Sequence, residues 1–160
     1  MSGQQVRRAR PADVPAMVAL IHELAAYERA PEQVQVTDEA LETALFGAAP
    51  AAYAHVAVDA TEVVGLALWF RSFSTWLGRP GVYLEDLFVT PSARGRGLGK
   101  GLLQALAQEC AEHGYGRLEW SVLDWNTPAH GFYRSVGAQP MDEWTVWRLT
   151  GTELSALAYG

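Results

Sequence analysis

The chain has 160 residues, 49% of them hydrophobic and 19% charged, which is the balance of a folded globular protein and excludes a disordered one. A formal net charge of -6 counts against nucleic acid, whose binding draws most of its affinity from neutralised phosphates, and suits a cationic substrate. The single cysteine, Cys110, excludes an internal disulfide and a cysteine metal cluster and reads as a small apolar helix residue.

In chain order, Gln5 to Ala9 is a short strand candidate. A helix follows, with Asp13 as candidate N-cap and Pro15 in its first turn. Val14, Met17, Val18, Ile21, Leu24 and Ala25 recur at helical spacing and form one apolar stripe. Thr37 is placed to cap a second short helix through Leu45, stopped near Gly47. Ala52 to Val58 and Val63 to Phe70 read as strands, joined by a turn over Asp59 to Glu62. Val82 to Val89 is a third, strongly apolar strand, interrupted by Glu85 and Asp86. The loop "TPSARGRG" leads into a helix from Leu98 to His113, whose core face is Leu98, Leu102, Leu103, Leu106 and Cys110, with Gly114 just past its end. Arg117 to Leu123 reads as a strand. Thr127 and Pro128 open another helix as N-cap and N1, closed by Gly137. Met141 to Thr150 reads as a last strand, and Thr152 as the cap of a C-terminal turn.

This order predicts an α/β (α+β) fold with a mixed, mostly antiparallel central sheet of about six to seven strands flanked by about four helices. No internal repeat or low-complexity linker divides the chain, so residues 1–160 read as one domain. The absence of an apolar leader, and of any run approaching about eighteen apolar residues, points to a cytoplasmic protein that does not enter a membrane.

Arg94 to Gly101, "RGRGLGKG", is the most informative stretch. A nucleotide P-loop needs G-x-x-x-x-G-K-[ST]; here Gly101 follows Gly99-Lys100, and Arg94 stands where the first glycine belongs. The dinucleotide fingerprint G-x-G-x-x-G fails at Lys100, and mid-chain there is no room for a full doubly wound sheet. R-x-x-G-x-G or its one-residue variant, Arg94-Gly95-Arg96-Gly97-Leu98-Gly99, fits. Glycines let backbone approach an anion, amides at a helix N-terminus point at it, and Arg94, Arg96 and Lys100 add cations. The competing reading is that the glycines only shape a tight strand–helix turn.

"VYLEDLFVTPSARGRGLGKGLLQAL" followed by "LDWNTPAHGFYRSVGA" resembles the GNAT superfamily of acetyl-CoA-dependent N-acetyltransferases. With "ELAAYERAPEQV" and the closing "WRL", the resemblance extends through nearly the whole chain to spermidine/spermine, diamine and thialysine acetyltransferases. It implies the GNAT fold, acetyl-CoA as co-substrate, no metal, a small-molecule amine substrate and a homodimer. It places coenzyme contacts at Leu87, Phe88 and Val89, at Arg94, Gly95, Arg96, Gly97, Leu98, Gly99 and Lys100, and at Asn126, Thr127, Pro128 and Ala129. It places the amine site at Tyr27, Glu28, Glu85, Glu119, Trp120 and Ser121, and the proton donor at Tyr133. Backbone groups at a strand bulge would serve the pantetheine arm as an added strand does.

The chemistry suits these residues. An alkyl amine with a pKa near 10.4 is neutral in only about one molecule in 2,500 at pH 7, so deprotonation costs roughly 4–5 kcal/mol before attack. A carboxylate both attracts the ammonium and takes its proton, through water. Glu85 is the candidate, with partial burial raising its pKa; because strand neighbours face opposite ways, at most one of Glu85 and Asp86 is expected to face the site. A phenol stays protonated at neutral pH and can protonate the departing thiolate, which is the role assigned to Tyr133. On pattern alone, Glu28 is a solvated glutamate and Tyr133 a half-buried aromatic anchor; the resemblance moves both into the site.

The chain departs from the polyamine-acetylating branch before the loop tryptophan, where an Asp-Pro is replaced by Ser74-Thr75, followed by Trp76. "LGRPGVYLED" is also one residue longer. With Glu119 and Thr145, these positions favour a shorter or lysine-like amine such as thialysine over spermine and spermidine. A protein or peptide amine as acceptor, and a non-catalytic acyl-CoA-binding module, are the alternative readings. His22, His55, His113 and His130 show no metal-ligand spacing and read as surface or helix residues.

Overall fold

The computed structural model describes residues 3–160. They form two compact units, Met1–Ser121 and Val122–Gly160.

The first unit is built on a five-stranded sheet of order β1-β2-β3-β4-β5, with β1 Gln4–Arg8, β2 Tyr53–Asp59, β3 Glu62–Ser74, β4 Arg79–Val89 and β5 Leu118–Trp120. The pairs β1–β2, β2–β3 and β3–β4 are antiparallel, and β4–β5 is parallel. The β3–β4 hairpin is longer than the apolar pattern implies. It carries polar Arg71, Ser72, Ser74 and Arg79 into its ladder, since pairing with a neighbour, not hydrophobicity, defines a strand.

Helices α1 (Val14–Tyr27) and α2 (Asp38–Phe46) cover one sheet face. Val14, Met17 and Leu20 of α1 and Leu41 and Leu45 of α2 pack there with Ala54, Val56, Val58, Leu66, Leu68 and Phe88. Leu20 is more deeply buried than the expected stripe members Val18, Ile21 and Leu24. Thr37 caps α2 by accepting from the Ala40 amide at 3.1 Å. Asp13 is the N-cap residue of α1, as expected, but its side chain holds the turn before the helix and makes no cap hydrogen bond. It accepts from the Arg10 amide at 2.7 Å and from Arg7 at 2.8 Å, and the arginine partner keeps its carboxyl below the ordinary range.

Helix α3 (Leu98–His113) covers the opposite face and buries Leu98, Leu102, Leu103 and Leu106. Gly114 ends it at φ 68°, the left-handed conformation glycine adopts without a Cβ penalty. On this face His55 is buried. Its Nδ1 accepts from Trp69 Nε1 at 3.2 Å, and its Nε2 lies 3.7 Å from Glu109. His55 is therefore a core residue, not the surface or helix residue its sequence context implied.

The second unit holds α4 (Thr127–Ser135) and α5 (Gly151–Tyr159). The strand expected over Met141 to Thr150 does not form. This segment is irregular and exposed, with a turn in which the Trp144 amide donates to the Met141 carbonyl at 3.1 Å. A strand exists only with a ladder partner, and alternating Trp144, Val146 and Leu149 supply apolar character without one. The expected Arg117–Leu123 strand is likewise cut to Leu118–Trp120, the residues that pair with Val82–Leu84. The sheet so has five strands, below the expected range.

Candidate active site

The register of β3 against β4 breaks at one place. Leu68 pairs with Asp86 and Trp69 with Leu84, so Glu85 has no opposite residue. It is the extra residue of a β-bulge. Leu68 faces the α1–α2 core, so Asp86 lies on that face. The bulge cancels the simple alternation expected for Glu85 and Asp86, and both belong to one electrostatic cluster with Glu28 at the end of α1.

The burial expected at Glu85 falls on Asp86 instead. Glu85 is exposed, whereas Asp86 is half-buried. Burial, followed by the negative charges of Glu85 and Glu28, pushes the Asp86 carboxyl up to about 6. Burial also raises Glu28. The physical cause is the bulge, which turns Glu85 outward and leaves Asp86 to occupy the inward ladder position.

Beyond Leu84 the outer edge of β4 has no strand beside it, because β5 stops at Trp120. Leu87, Phe88 and Val89 pair with Ala67, Leu66 and Gly65 on the β3 side, and the open edge can take an extended ligand as an added strand. The glycine loop follows directly. Gly95 (φ 80°) and Gly97 (φ 79°) adopt the left-handed conformation, with open space where a Cβ would stand. Gly97 is the N-cap of α3, and the leading amides of Leu98, Gly99 and Lys100 face outward at the positive end of the helix dipole. That donor set suits a phosphate group.

The loop arginines are engaged within the protein. Arg94 Nε donates to the Val89 carbonyl at 2.9 Å, and its guanidinium lies over the Tyr27 and Phe88 rings at 5.5 and 5.3 Å. Arg96 donates to Asp59 at 2.7 Å. Both brace the loop, while Lys100 makes no ion pair among the described residues.

Along the same sheet face, away from the bulge, lies a row of polar residues. Tyr83 packs on Phe70, with ring centroids 5.1 Å apart, and its hydroxyl lies 2.9 Å from Ser121 Oγ. Glu119 pairs with Tyr83 on this face, whereas Trp120 pairs with Leu84 and so lies on the α3 side of the sheet, away from the expected amine site. Ser74 ends β3, and its Oγ accepts from the Leu77 amide at 3.1 Å and from Arg117 at 2.9 Å. Thr75 and Trp76 sit in the hairpin turn, and Trp76 is 84% exposed. Asp86, weighed with Glu85 from the sequence but not assigned, and Arg117, not singled out there, both stand beside the candidate residues. An acidic residue adjacent to the candidate base, and a cation two positions before Glu119, were the available signals.

The second unit carries the remaining expected residues. Asn126 is the N-cap of α4, one position before the expected Thr127, and Thr127, Pro128 and Ala129 form its first turn. Tyr133 is half-buried on α4, its ring 5.4 Å from that of Phe132. Thr145 is exposed in the irregular segment.

Residues 17–138 match the Acetyltransferase (GNAT) family. The chain is 36% identical over 169 residues to the thialysine N-epsilon-acetyltransferase of Bos taurus, covering 99% of each. It is 31% identical over 198 residues to an L-ornithine N5-acetyltransferase of Arabidopsis thaliana, covering 96% of this chain and 87% of that one. Among solved structures, an integron cassette protein from the mobile metagenome of V. cholerae superposes with a TM-score of 0.82 at 28% identity, over 98% of both chains. Bulge, glycine loop and full-length similarity agree: the chain belongs to the acetyltransferase (GNAT) family and is an N-acetyltransferase.

Proposed function

We propose that the protein transfers acetyl from acetyl-CoA to the primary amine of a lysine-like amino acid or short diamine, by direct attack in a ternary complex. The observation that carries this reading is the carboxylate cluster of Glu28, Glu85 and Asp86 at the β4 bulge, directly before a glycine loop suited to phosphate. The side-chain amines of the thialysine and ornithine relatives are of the same class.

The amine arrives as an ammonium ion and is drawn to the cluster. Asp86, with Glu85 beside it, receives the proton through water. A carboxyl near 6 is well matched to proton transfer around neutral pH. The freed nitrogen attacks the thioester carbonyl and the C–N bond forms; the C–S bond breaks as a phenol, the role the family resemblance gives Tyr133, protonates the departing thiolate, and the second proton of the attacking nitrogen passes through water to restore that phenol. The open edge of β4 at Leu87–Val89 and the Gly95–Lys100 loop hold the pantetheine arm and pyrophosphate. A cytoplasmic homodimer completes the reading, and native mass tests the assembly.

The test is thiol release from acetyl-CoA across thialysine, lysine, ornithine, putrescine, spermidine, spermine and lysine peptides. The expected result is turnover on the short and lysine-like amines, reduced about 10²-fold or more by Tyr133→Phe, the range for loss of a general acid. In the pH–rate profile, Asp86→Asn and Glu85→Gln each shift the acidic limb. Turnover confined to peptides, or coenzyme binding without turnover, overturns the reading.

A further inference from the structure

We infer that Arg117 is a specificity-determining residue that makes this site reject long polyamines, by occupying the acceptors a distal ammonium ion would need. The inference rests on the amine-transferase reading above and names the substrate class within it.

The α1 side of the sheet has chemically different ends. Glu28, Glu85 and Asp86 gather at the bulge. At the far end, near the tip of the β3–β4 hairpin, Glu119 and Ser74 offer oxygens on the same face. Glu119 is the register partner of Tyr83 and Ser74 that of Arg79. Because Glu85 is the extra residue of the bulge, Asp86 and Gly81 are four ladder steps apart, at the Leu68 and Ser72 positions of β3, an advance of about 13 Å, so an extended tri- or tetramine is needed to reach from the bulge to the Gly81 end.

Arg117 takes both groups. Its Nη2 donates to Ser74 Oγ at 2.9 Å, and its Nη1 lies 3.6 Å from Glu119 Oε1. Its backbone is fixed as well, since the Val82 amide donates to its carbonyl at 3.0 Å. Gly81 permits this approach, because a Cβ there would lie 2.8 Å from that carbonyl oxygen and 3.2 Å from the Arg117 side chain. Arg79, another exposed cation, starts β4 at the same end. The Arg117 guanidinium thus stands beside Glu119, and a second ammonium arriving there meets a like charge. An amine ending short of this point feels only the acidic cluster at the bulge.

Arg117→Gln, Arg117→Lys, Glu119→Gln and the Arg117→Gln/Glu119→Gln pair test this, with kcat/KM measured for spermine and for thialysine. Calorimetric binding of both amines is read in parallel. Arg117→Gln frees Glu119 and raises the spermine-to-thialysine ratio about tenfold, equivalent to about 1.4 kcal/mol, mainly through a lower KM for spermine. Arg117→Lys retains the charge and the low ratio, and the double variant loses the gain. The inference is overturned if Arg117→Gln leaves the ratio unchanged, if Lys behaves as Gln does, or if the gain persists without Glu119. If Arg117→Gln does not fold, Ser74→Ala removes one of the groups holding the guanidinium and is expected to give a smaller rise; no rise overturns the inference. A parent that turns over no amine sinks the transferase reading alone, because the calorimetric ratio still decides the role of Arg117.

Discussion

Asp86 carries a carboxyl whose burial costs stability. Its folded pKa of about 6 lies above the ordinary 3.8, so the folded protein holds the proton more tightly than the unfolded chain does. Stability therefore falls as pH rises from about 4 to 6, and the full cost, on the order of 2–3 kcal/mol, is present above that window. Asp86→Asn removes the ionisation. The variant is expected to be more stable than the parent at pH 7.5 by this order, with the gap mostly closed at pH 4.5, and less active at both. Urea unfolding at the two pH values checks the stability, and thiol release checks the activity. Equal stabilisation at both pH values would show that the Asp86 carboxyl is not the group responsible.

At the scale of elements, the hairpin and its neighbouring strand hold the row of polar residues. The β4–β5 approach at Gly81 has no room for a side chain, since an added Cβ would stand 2.8 Å from the Arg117 carbonyl oxygen and 3.1 Å from Ser72 Oγ. Gly81→Ala must push β5 away from β4, at a cost of about 1–3 kcal/mol. Because the same shift moves Arg117 and Glu119, it is expected to alter amine selectivity as well as the unfolding midpoint. Thr37→Ala provides the contrast. It removes the α2 cap bond to Ala40 and costs about 1 kcal/mol, with amine KM values unchanged. Loss of stability without a selectivity change in Gly81→Ala would separate the strand contact from the polar row.

At the scale of the whole first unit, the sheet buries titratable groups of opposite sign on its two faces. His55, under α3, is held down to about 4 from an ordinary 6.5, first by burial and then by the Arg8 charge, with Glu109 opposing. Because its folded pKa is depressed, the unfolded chain binds the proton better, and stability rises with pH from about 4 to 6.5. Asp86 contributes the opposite slope over nearly the same window. The two are expected to offset each other, leaving the parent with little pH dependence from this pair between about pH 4 and 6. In Asp86→Asn the His55 contribution stands alone, so stability should climb across that window. Urea midpoints at half-unit pH steps give the comparison, and parallel curves for parent and variant would refute it.

Much of this molecule is determined by local chemistry that the sequence states openly. Helical spacing marks α1 and α3, Thr37 marks the start of α2, and Gly95, Gly97 and Gly114 mark turns that require a left-handed backbone, because each depends on residues within a few positions of one another. The glycine loop and the neighbouring acidic pair were legible for the same reason. What only the tertiary structure decided depends on partners distant in the chain. Met141 to Thr150 carries strand-like alternation but has no ladder partner, so it is irregular. Glu85 and Asp86 exchanged their expected environments because a register break between β3 and β4 inserts one residue, and a bulge is a relation between two strands that neither strand's own pattern contains. Ser74, singled out from its neighbours in the sequence as a position bearing on substrate choice, is tied to Arg117, forty-three positions away along the chain. Charge and burial at a site are sums over such neighbours, and the fold alone selects them.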